Sequence, residues 1–202
     1  MCEERSLTDQ VADQEEPGAD AGLARLFVAY RLPDPVAEAI AAWQRQSIEG
    51  QAGVRPTSAS QLHITMVFLG SQPVGGIDAI ADTVRRCLVA ARRPVFHVAK
   101  YHETARVGML NLQEEPVPGD NFAGRANESA GRLMQEFQAA GIYKPMFRDW
   151  RPHVTVARFR TPPQLRLDPP AIASFSPIDV VLYESMLSPS GFICPRMSAM
   201  FW

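Results

Sequence analysis

The sequence predicts an α+β fold of mixed or antiparallel sheet arranged in two lobes, on three observations. Alternating apolar runs and helical-period stripes follow one another irregularly, without the regular strand–helix succession of a doubly wound sheet. Two of the strands carry the same four-residue frame, His63-Ile64-Thr65-Met66 and His153-Val154-Thr155-Val156, 90 residues apart, and each follows a predicted helix. A chain of 202 residues that is 46% hydrophobic and 21% charged has room for one sizeable domain, or two intimately packed lobes, with a well-buried core.

Taken in order, residues 1–22 are polar, lack periodicity and contain Pro17-Gly18, which predicts a disordered acidic tail ahead of a single domain over 23–202. Arg25 to Tyr30 reads as the first strand. Pro33-Asp34-Pro35 then opens a helix in which Val36, Ile40 and Trp43 share a face. Residues 51–60 read as a loop, and the first His-x-Thr strand, Leu62 to Leu69, ends at Gly70. A helix over 77–91 places Ile80, Val84, Cys87, Leu88 and Ala91 on one stripe. Pro94 stops it. Residues 95–101 and 106–112 form a predicted hairpin, and a Pro- and Gly-rich loop over 114–120 leads to a helix over 122–140, closed by Gly141. After a loop over 144–152 comes the second His-x-Thr strand. Pro162-Pro163 and Pro169-Pro170 bracket an irregular connection before two final strands, 178–187 and 192–201, joined by a turn at Ser188-Pro189-Ser190-Gly191.

The net charge of −2 conceals an uneven distribution. Residues 1–22 hold seven acids and one base, which leaves 19 bases (20 less 1) and 15 acids (22 less 7) in the body. That mildly basic body suits a phosphate-bearing substrate and falls well short of the footprint of a duplex binder. Three cysteines, Cys2, Cys87 and Cys194, without metal-like spacing argue against a disulfide framework and fit a reducing compartment. No apolar run approaches the roughly 20 residues of a membrane helix, and the start lacks the pattern of a signal peptide. The expectation is a cytoplasmic monomer without membrane contact.

The two tetrapeptides carry the chemistry. Side chains two apart on a strand share a face, so each frame presents an imidazole and a hydroxyl together while its Ile, Met or Val residues enter the core. One such pair is readily a hydrogen-bonded core feature. Two in the same frame, using half of the four histidines, supply an acid, a base and two hydroxyl donors, the groups that in-line displacement at phosphorus requires. The other histidines, His97 and His102, lack carboxylates at ligand spacing, so no metal site is expected.

These frames with their flanks, Val67-Phe68-Leu69-Gly70 after the first and Arg151-Pro152 before and Ala157-Arg158 after the second, resemble the paired signatures of the two-histidine phosphoesterases. The resemblance is closest to the RNA 2′,3′-cyclic phosphodiesterases, also called 2′-5′ RNA ligases. Arg25-Leu26-Phe27-Val28-Ala29 with Leu32-Pro33, the Trp43 helix and Leu182-Tyr183-Glu184-Ser185 fit the same layout. The resemblance implies a bilobal fold whose pseudo-twofold lobes, with outer helices, each lend one motif to a central cleft. It implies His63 as proton donor, His153 as proton acceptor, Thr65 and Thr155 as partners of the phosphate, and Arg158 as a phosphate-binding residue, with no cofactor. Sequence alone leaves the order of acid and base open.

Two features depart from the pattern. Gly191-Phe192-Ile193-Cys194 stands where the family often has a Gly followed shortly by a Tyr. Arg158 lies five residues from His153, on the opposite face of an unbroken strand, so a bulge or strand end near Ala157 is required for it to reach a phosphate. The implied reaction opens RNA terminal 2′,3′-cyclic phosphates to 2′-phosphates, and its reverse joins a 5′-hydroxyl end in a 2′-5′ linkage without ATP. RNA ends or nucleoside 2′,3′-cyclic phosphates are the implied partners. The alternatives are a phosphodiesterase of 2′-5′ oligoadenylate or an ADP-ribose cyclic phosphate, and a nucleotide- or RNA-binding module without catalysis. Phe27, Tyr30 and Arg55 are candidate walls of a base pocket, Trp150 reads as a packing anchor, and Arg85-Arg86 and Arg92-Arg93 as a solvated face.

Overall fold

The structure, a computed structural model, describes residues 22–116, 124–144, 149–187 and 193–201. The expected tail, the 117–120 part of the Pro- and Gly-rich loop, the first residues of the third predicted helix and the 188–191 turn lie outside the described residues. The elements are β1 (Leu23–Arg31), α1 (Asp34–Ser47), β2 (Val54–Pro56), β3 (His63–Pro73), α2 (Ile77–Leu88), β4 (Phe96–Glu103), β5 (Val107–Glu114), α3 (Arg125–Ala139), β6 (His153–Phe159), β7 (Asp179–Leu187) and β8 (Ile193–Phe201). All strand pairs are antiparallel, in the order β4-β5-β6-β3-β1-β7-β8, with β2 beside β6. The fold is α+β, as expected.

The two lobes are halves of one curled sheet. β4, β5, β6 and β2 form one half, and β3, β1, β7 and β8 the other. Ile64 opposite Val154 is the only backbone pair that the ladder records between β3 and β6 among the described residues. Beyond it the strands part, and β6 continues against β2 instead. The motif strands are therefore central neighbours that splay apart.

All three helices cover one face. Val36, Ile40 and Trp43 of α1, Ile80, Val84 and Leu88 of α2, and Ala130, Leu133 and Phe137 of α3 share a core with Leu26, Val28, Ile64, Met66, Val154, Val156, Val180 and Leu182. A Glu114 carboxylate oxygen accepts the Ala126 N–H at 3.0 Å and satisfies one of the donors left over at the start of α3. Gly141, at φ 71°, turns the chain out of α3 in the left-handed conformation that glycine tolerates. Cys87 is buried in the α2 stripe, a packing role, and burial pushes its thiol pKa up.

Three expectations need correction. The 51–60 segment contains β2, whose three residues are too short to show strand periodicity and are recruited by the edge of β6. Gly70 does not end β3: at φ 69° it sits at a bulge, with Leu26 opposite Gly70 and Phe27 opposite Phe68, and the ladder runs on to Pro73. α2 ends at Leu88 rather than Ala91, and the next residue, Val89, is exposed and leaves the buried stripe.

Candidate active site

The register at the sheet's centre assembles the motifs. With Ile64 opposite Val154 in an antiparallel pair, one step either way sets His63 opposite Thr155 and Thr65 opposite His153. Ile64 and Val154 are fully buried toward the helices, while all four polar residues are partly exposed on the other face. An axis through this pair exchanges the motifs. Four side chains from segments 90 residues apart thus form one cluster because a single backbone pair is shared.

The equivalence extends along both strands. From His63 to Leu69 and from His153 to Phe159 the succession is the same: part-buried, buried, part-buried, buried, buried, exposed, buried. Each strand contains a bulge at the same place. On β3 the ladder jumps from Thr65 opposite Ala29 to Val67 opposite Val28, and on β6 from Thr155 opposite Met109 to Ala157 opposite Gly108. The extra residue resets the alternation, so the fifth residue after each histidine returns to the site face. That residue is Arg158 on β6 and Phe68 on β3. The bulge required near Ala157 is present.

Side chains hold the carbonyls at both bulges. Trp150 Nε1 donates to the Thr65 carbonyl at 2.9 Å, which makes Trp150 an anchor of the first motif. Gln44 Nε2, on buried Gln44 of α1, donates to the Val156 carbonyl at 2.6 Å and to the Thr57 carbonyl at 2.9 Å. The imidazoles are held alike too. His63 Nδ1 lies 2.7 Å from the Gln61 carbonyl and His153 Nδ1 2.9 Å from the Arg151 carbonyl. A carbonyl only accepts, so each Nδ1 carries the proton and each neutral ring keeps Nε2 as its basic nitrogen.

The surroundings of the two histidines differ. His63 packs in an aromatic cluster: its ring centroid is 4.9 Å from that of Phe27 and 5.9 Å from that of Tyr183, and Phe27 stacks on Tyr183 at 5.1 Å and meets Phe68 at 5.7 Å. Burial in this cluster lowers the His63 pKa to about 4, a trend the Gln61 carbonyl opposes and the nearby charges of Arg158 and His153 reinforce. Arg31, opposite His63 on β1, is paired with Asp179 at 2.5 and 2.8 Å. On the other side, His153 has Asn111 of β5 as its ladder neighbour.

Of the candidate pocket walls, Phe27 lies at the site. Tyr30 does not: it points to the opposite face of β1, fully buried against Phe96, and burial raises its hydroxyl pKa. Arg55 is the β2 ladder partner of Arg158. His97 also departs from expectation, with Nδ1 3.4 Å from a Glu115 oxygen. It remains a pair, and among the described residues no three His, Cys, Asp or Glu side chains gather as metal ligands. On the solvated helix face Arg85 pairs with Asp82, as expected of such a face. Sequence reasoning missed Phe68, Tyr183 and Asn111 as site residues. Phe68 alone had a signal, its five-residue offset from His63 matching that of Arg158 from His153. A concavity of about 550 Å³ between Tyr101–Glu103 and residues 164–168 contains no motif residue.

Two histidine–threonine pairs exchanged by a pseudo-twofold axis at the centre of an antiparallel sheet define a two-histidine phosphoesterase. The chain belongs to the 2′-5′ RNA ligase superfamily, whose model matches residues 32–182. A curated relative, the RNA 2′,3′-cyclic phosphodiesterase of Escherichia coli (strain K12), is 27% identical over 166 residues, 80% of this chain and 86% of that protein. Among solved structures, E. coli LigT complexed with NADP+ superposes with a TM-score of 0.70 at 23% identity, covering 88% of this chain and 96% of LigT. LigT complexed with 3′-AMP gives 0.67 at 22% identity over the same shares. At that identity the superpositions establish the fold.

Proposed function

We propose that this chain hydrolyses RNA terminal 2′,3′-cyclic phosphates to 2′-phosphomonoesters, using His63 as proton donor and His153 as proton acceptor. The observation that carries this is the register at Ile64 and Val154, which gives one phosphate two imidazoles and two hydroxyls from opposite strands. Water attacks phosphorus while His153 Nε2 takes its proton. The bond from phosphorus to the ribose 3′ oxygen breaks, and His63 gives that oxygen a proton, leaving a 2′-phosphate and a 3′-hydroxyl. Thr65 and Thr155 donate to the non-bridging oxygens, and Arg158 adds a charge-assisted donor. With a 5′-hydroxyl RNA end attacking phosphorus in place of water, the same bond to the 3′ oxygen breaks and the site makes a 2′-5′ linkage.

A donor must first hold a proton, and His63 is neutral in the free site. An anionic phosphodiester between the strands screens it from Arg158 and His153 and supplies the counter-charge that burial withholds, so ligand binding itself protonates the donor. The exposed ring of Phe68, beside Phe27, supports stacking of the terminal base.

The roles separate with a leaving group that needs no acid. On a 3′-deoxyribonucleoside 2′-(p-nitrophenyl phosphate) diester, in which p-nitrophenolate replaces the 3′ oxygen as leaving group and no ribose hydroxyl can attack, His63→Ala is expected to recover most of its rate relative to the natural cyclic substrate, whereas His153→Ala stays slow by about 10²-fold or more. The opposite pattern exchanges the roles. Nucleotide binding without turnover of either substrate contradicts catalysis.

A further inference from the structure

The axis that exchanges the motif strands also exchanges β1 with β5 and β7 with β4. Ladder partners share a face, so a row of side chains leads from each histidine toward an edge of the sheet. From His63 it runs to Arg31 of β1 and Asp179 of β7, and from His153 to Asn111 of β5 and Lys100 of β4. The rows are equivalent in position and different in charge balance. Beside His63 the cation is neutralised within the protein, with Arg31 donating to the buried Asp179 carboxylate at 2.5 and 2.8 Å. Beside His153 a half-buried neutral amide leads to an exposed ammonium. Among the described residues neither the Asn111 carboxamide nor the Lys100 ammonium makes a hydrogen bond or ion pair. The described acids of β4 and β5, and Glu115 just beyond, are engaged elsewhere. Glu103 accepts from the Tyr101 hydroxyl and from the Gln164 and Leu165 N–H groups, Glu114 from the Ala126 N–H, and Glu115 from the Ser174 hydroxyl. His102, two residues along β4 from Lys100 and so on the same face, is also exposed.

An amide that both donates and accepts, followed by an uncompensated cation, suits a sugar followed by a phosphate. We infer that Asn111 and Lys100 form a subsite for a second RNA strand, whose 5′-hydroxyl end enters over His153 with its first ribose against Asn111 and its first phosphodiester against Lys100. Neighbouring strands lie about 4.8 Å apart, so Lys100 stands roughly 10 Å from His153 across the sheet, and its flexible four-carbon stem brings the ammonium to the next phosphate. The inference rests on the proposed function, in which His153 activates the attacking group, and deepens it: water and a 5′-hydroxyl compete for one position, and this row favours the strand. The His63 row, its charge already neutralised by Asp179, offers a second strand no such hold.

Binding, measured apart from turnover, tests it. Three ligands share a core, two nucleosides joined by a 2′-5′ phosphodiester, with a 3′-deoxy upstream ribose that leaves no hydroxyl to re-form a cyclic phosphate. The first has no other phosphate, the second adds one at the 3′ oxygen of the downstream nucleoside, and the third adds one at the 5′ oxygen of the upstream nucleoside. By calorimetry at two salt concentrations, the wild type is expected to bind the second ligand about tenfold more tightly than the first, the scale of one charge-assisted contact. Lys100→Gln removes that increment, and with it the steeper salt dependence of the second ligand, without removing any increment of the third. Lys100→Arg, which keeps the charge, retains most of it. Asn111→Asp sets a carboxylate beside Lys100, copying the closed Arg31–Asp179 arrangement, and is expected to abolish the increment with Lys100 still present. No increment for the second ligand in the wild type, an equal loss for all three ligands in Lys100→Gln, or an intact increment in Asn111→Asp overturns the inference. Hydrolysis of a nucleoside 2′,3′-cyclic phosphate by the same wild-type sample keeps the readings separate: the increment without turnover supports the subsite and counts against the hydrolase, and turnover without the increment does the reverse.

Discussion

His63 is the residue at which fold and chemistry are most tightly coupled. Its ring fills an aromatic cluster with Phe27 and Tyr183, which fixes the imidazole but removes water from it. The folded chain holds the pKa at about 4, whereas an unfolded imidazole titrates near about 6.5. Between these values the unfolded state binds more protons, so stability is fully present above the unfolded pKa and is lost as pH falls through the window. Moving from about pH 7 to about pH 4.5 is expected to lower the unfolding free energy through His63 by roughly 1–2 kcal/mol, allowing for its partial exposure. His63→Asn, which does not titrate, is expected to lack this component when urea unfolding is followed at both pH values. An identical acid loss in both proteins would place the titration elsewhere. Histidine NMR gives the functional counterpart: a bound nucleoside 2′-phosphate is expected to raise the His63 pKa from about 4 toward the ordinary imidazole value, and an unchanged value contradicts loading of the donor by the ligand.

At the scale of elements, the bulges decide which side chains reach the site face. Without them Arg158 and Phe68 would face the helices, and the site would have four polar residues and no further wall. Gln44 of α1 is the device that holds the β6 bulge, through the Val156 and Thr57 carbonyls. Gln44→Met, similar in shape but without the amide, is expected to cost about 1–3 kcal/mol in urea unfolding. Because Arg158 follows two residues later, it is also expected to weaken substrate binding more than the chemical step, read as a rise in KM. A destabilised variant with unaltered KM would separate the bulge from Arg158. Much at this scale was legible from periodicity: β1, α1 and both motif strands lie where apolar alternation and the Pro33-Asp34-Pro35 start put them. The parity conflict at Arg158 even announced the bulge. What sequence could not show is which neighbours sustain it, because Gln44 and Trp150 reach their carbonyls across 112 and 85 residues of chain. For the same reason Tyr30, one residue beyond Ala29, the ladder partner of Thr65, reads in the sequence as a pocket wall, whereas it lies on the buried face of β1 away from the site.

For the whole molecule, function depends on joining two halves that sequence presents as separate. The order β4-β5-β6-β3-β1-β7-β8 puts the motif strands at the centre, with a common core beneath them on the helical face. The axis between them is imperfect in a useful way: the fifth position after each histidine is an aromatic ring on one strand and a cation on the other. One arm suits a base and the other a phosphate, which gives the cleft a direction despite its repeated motif. The measurement that tests the central claim most directly is hydrolysis of an RNA 2′,3′-cyclic phosphate in EDTA by the wild type, His63→Ala, His153→Ala and the double variant, with 2′- and 3′-phosphate products resolved. If the halves form one acid–base device, the wild type yields the 2′-phosphate, each single variant loses about 10²-fold or more, and the double variant is little worse than either single one. Losses that simply multiply, a 3′-phosphate product, or turnover indifferent to either histidine would contradict it.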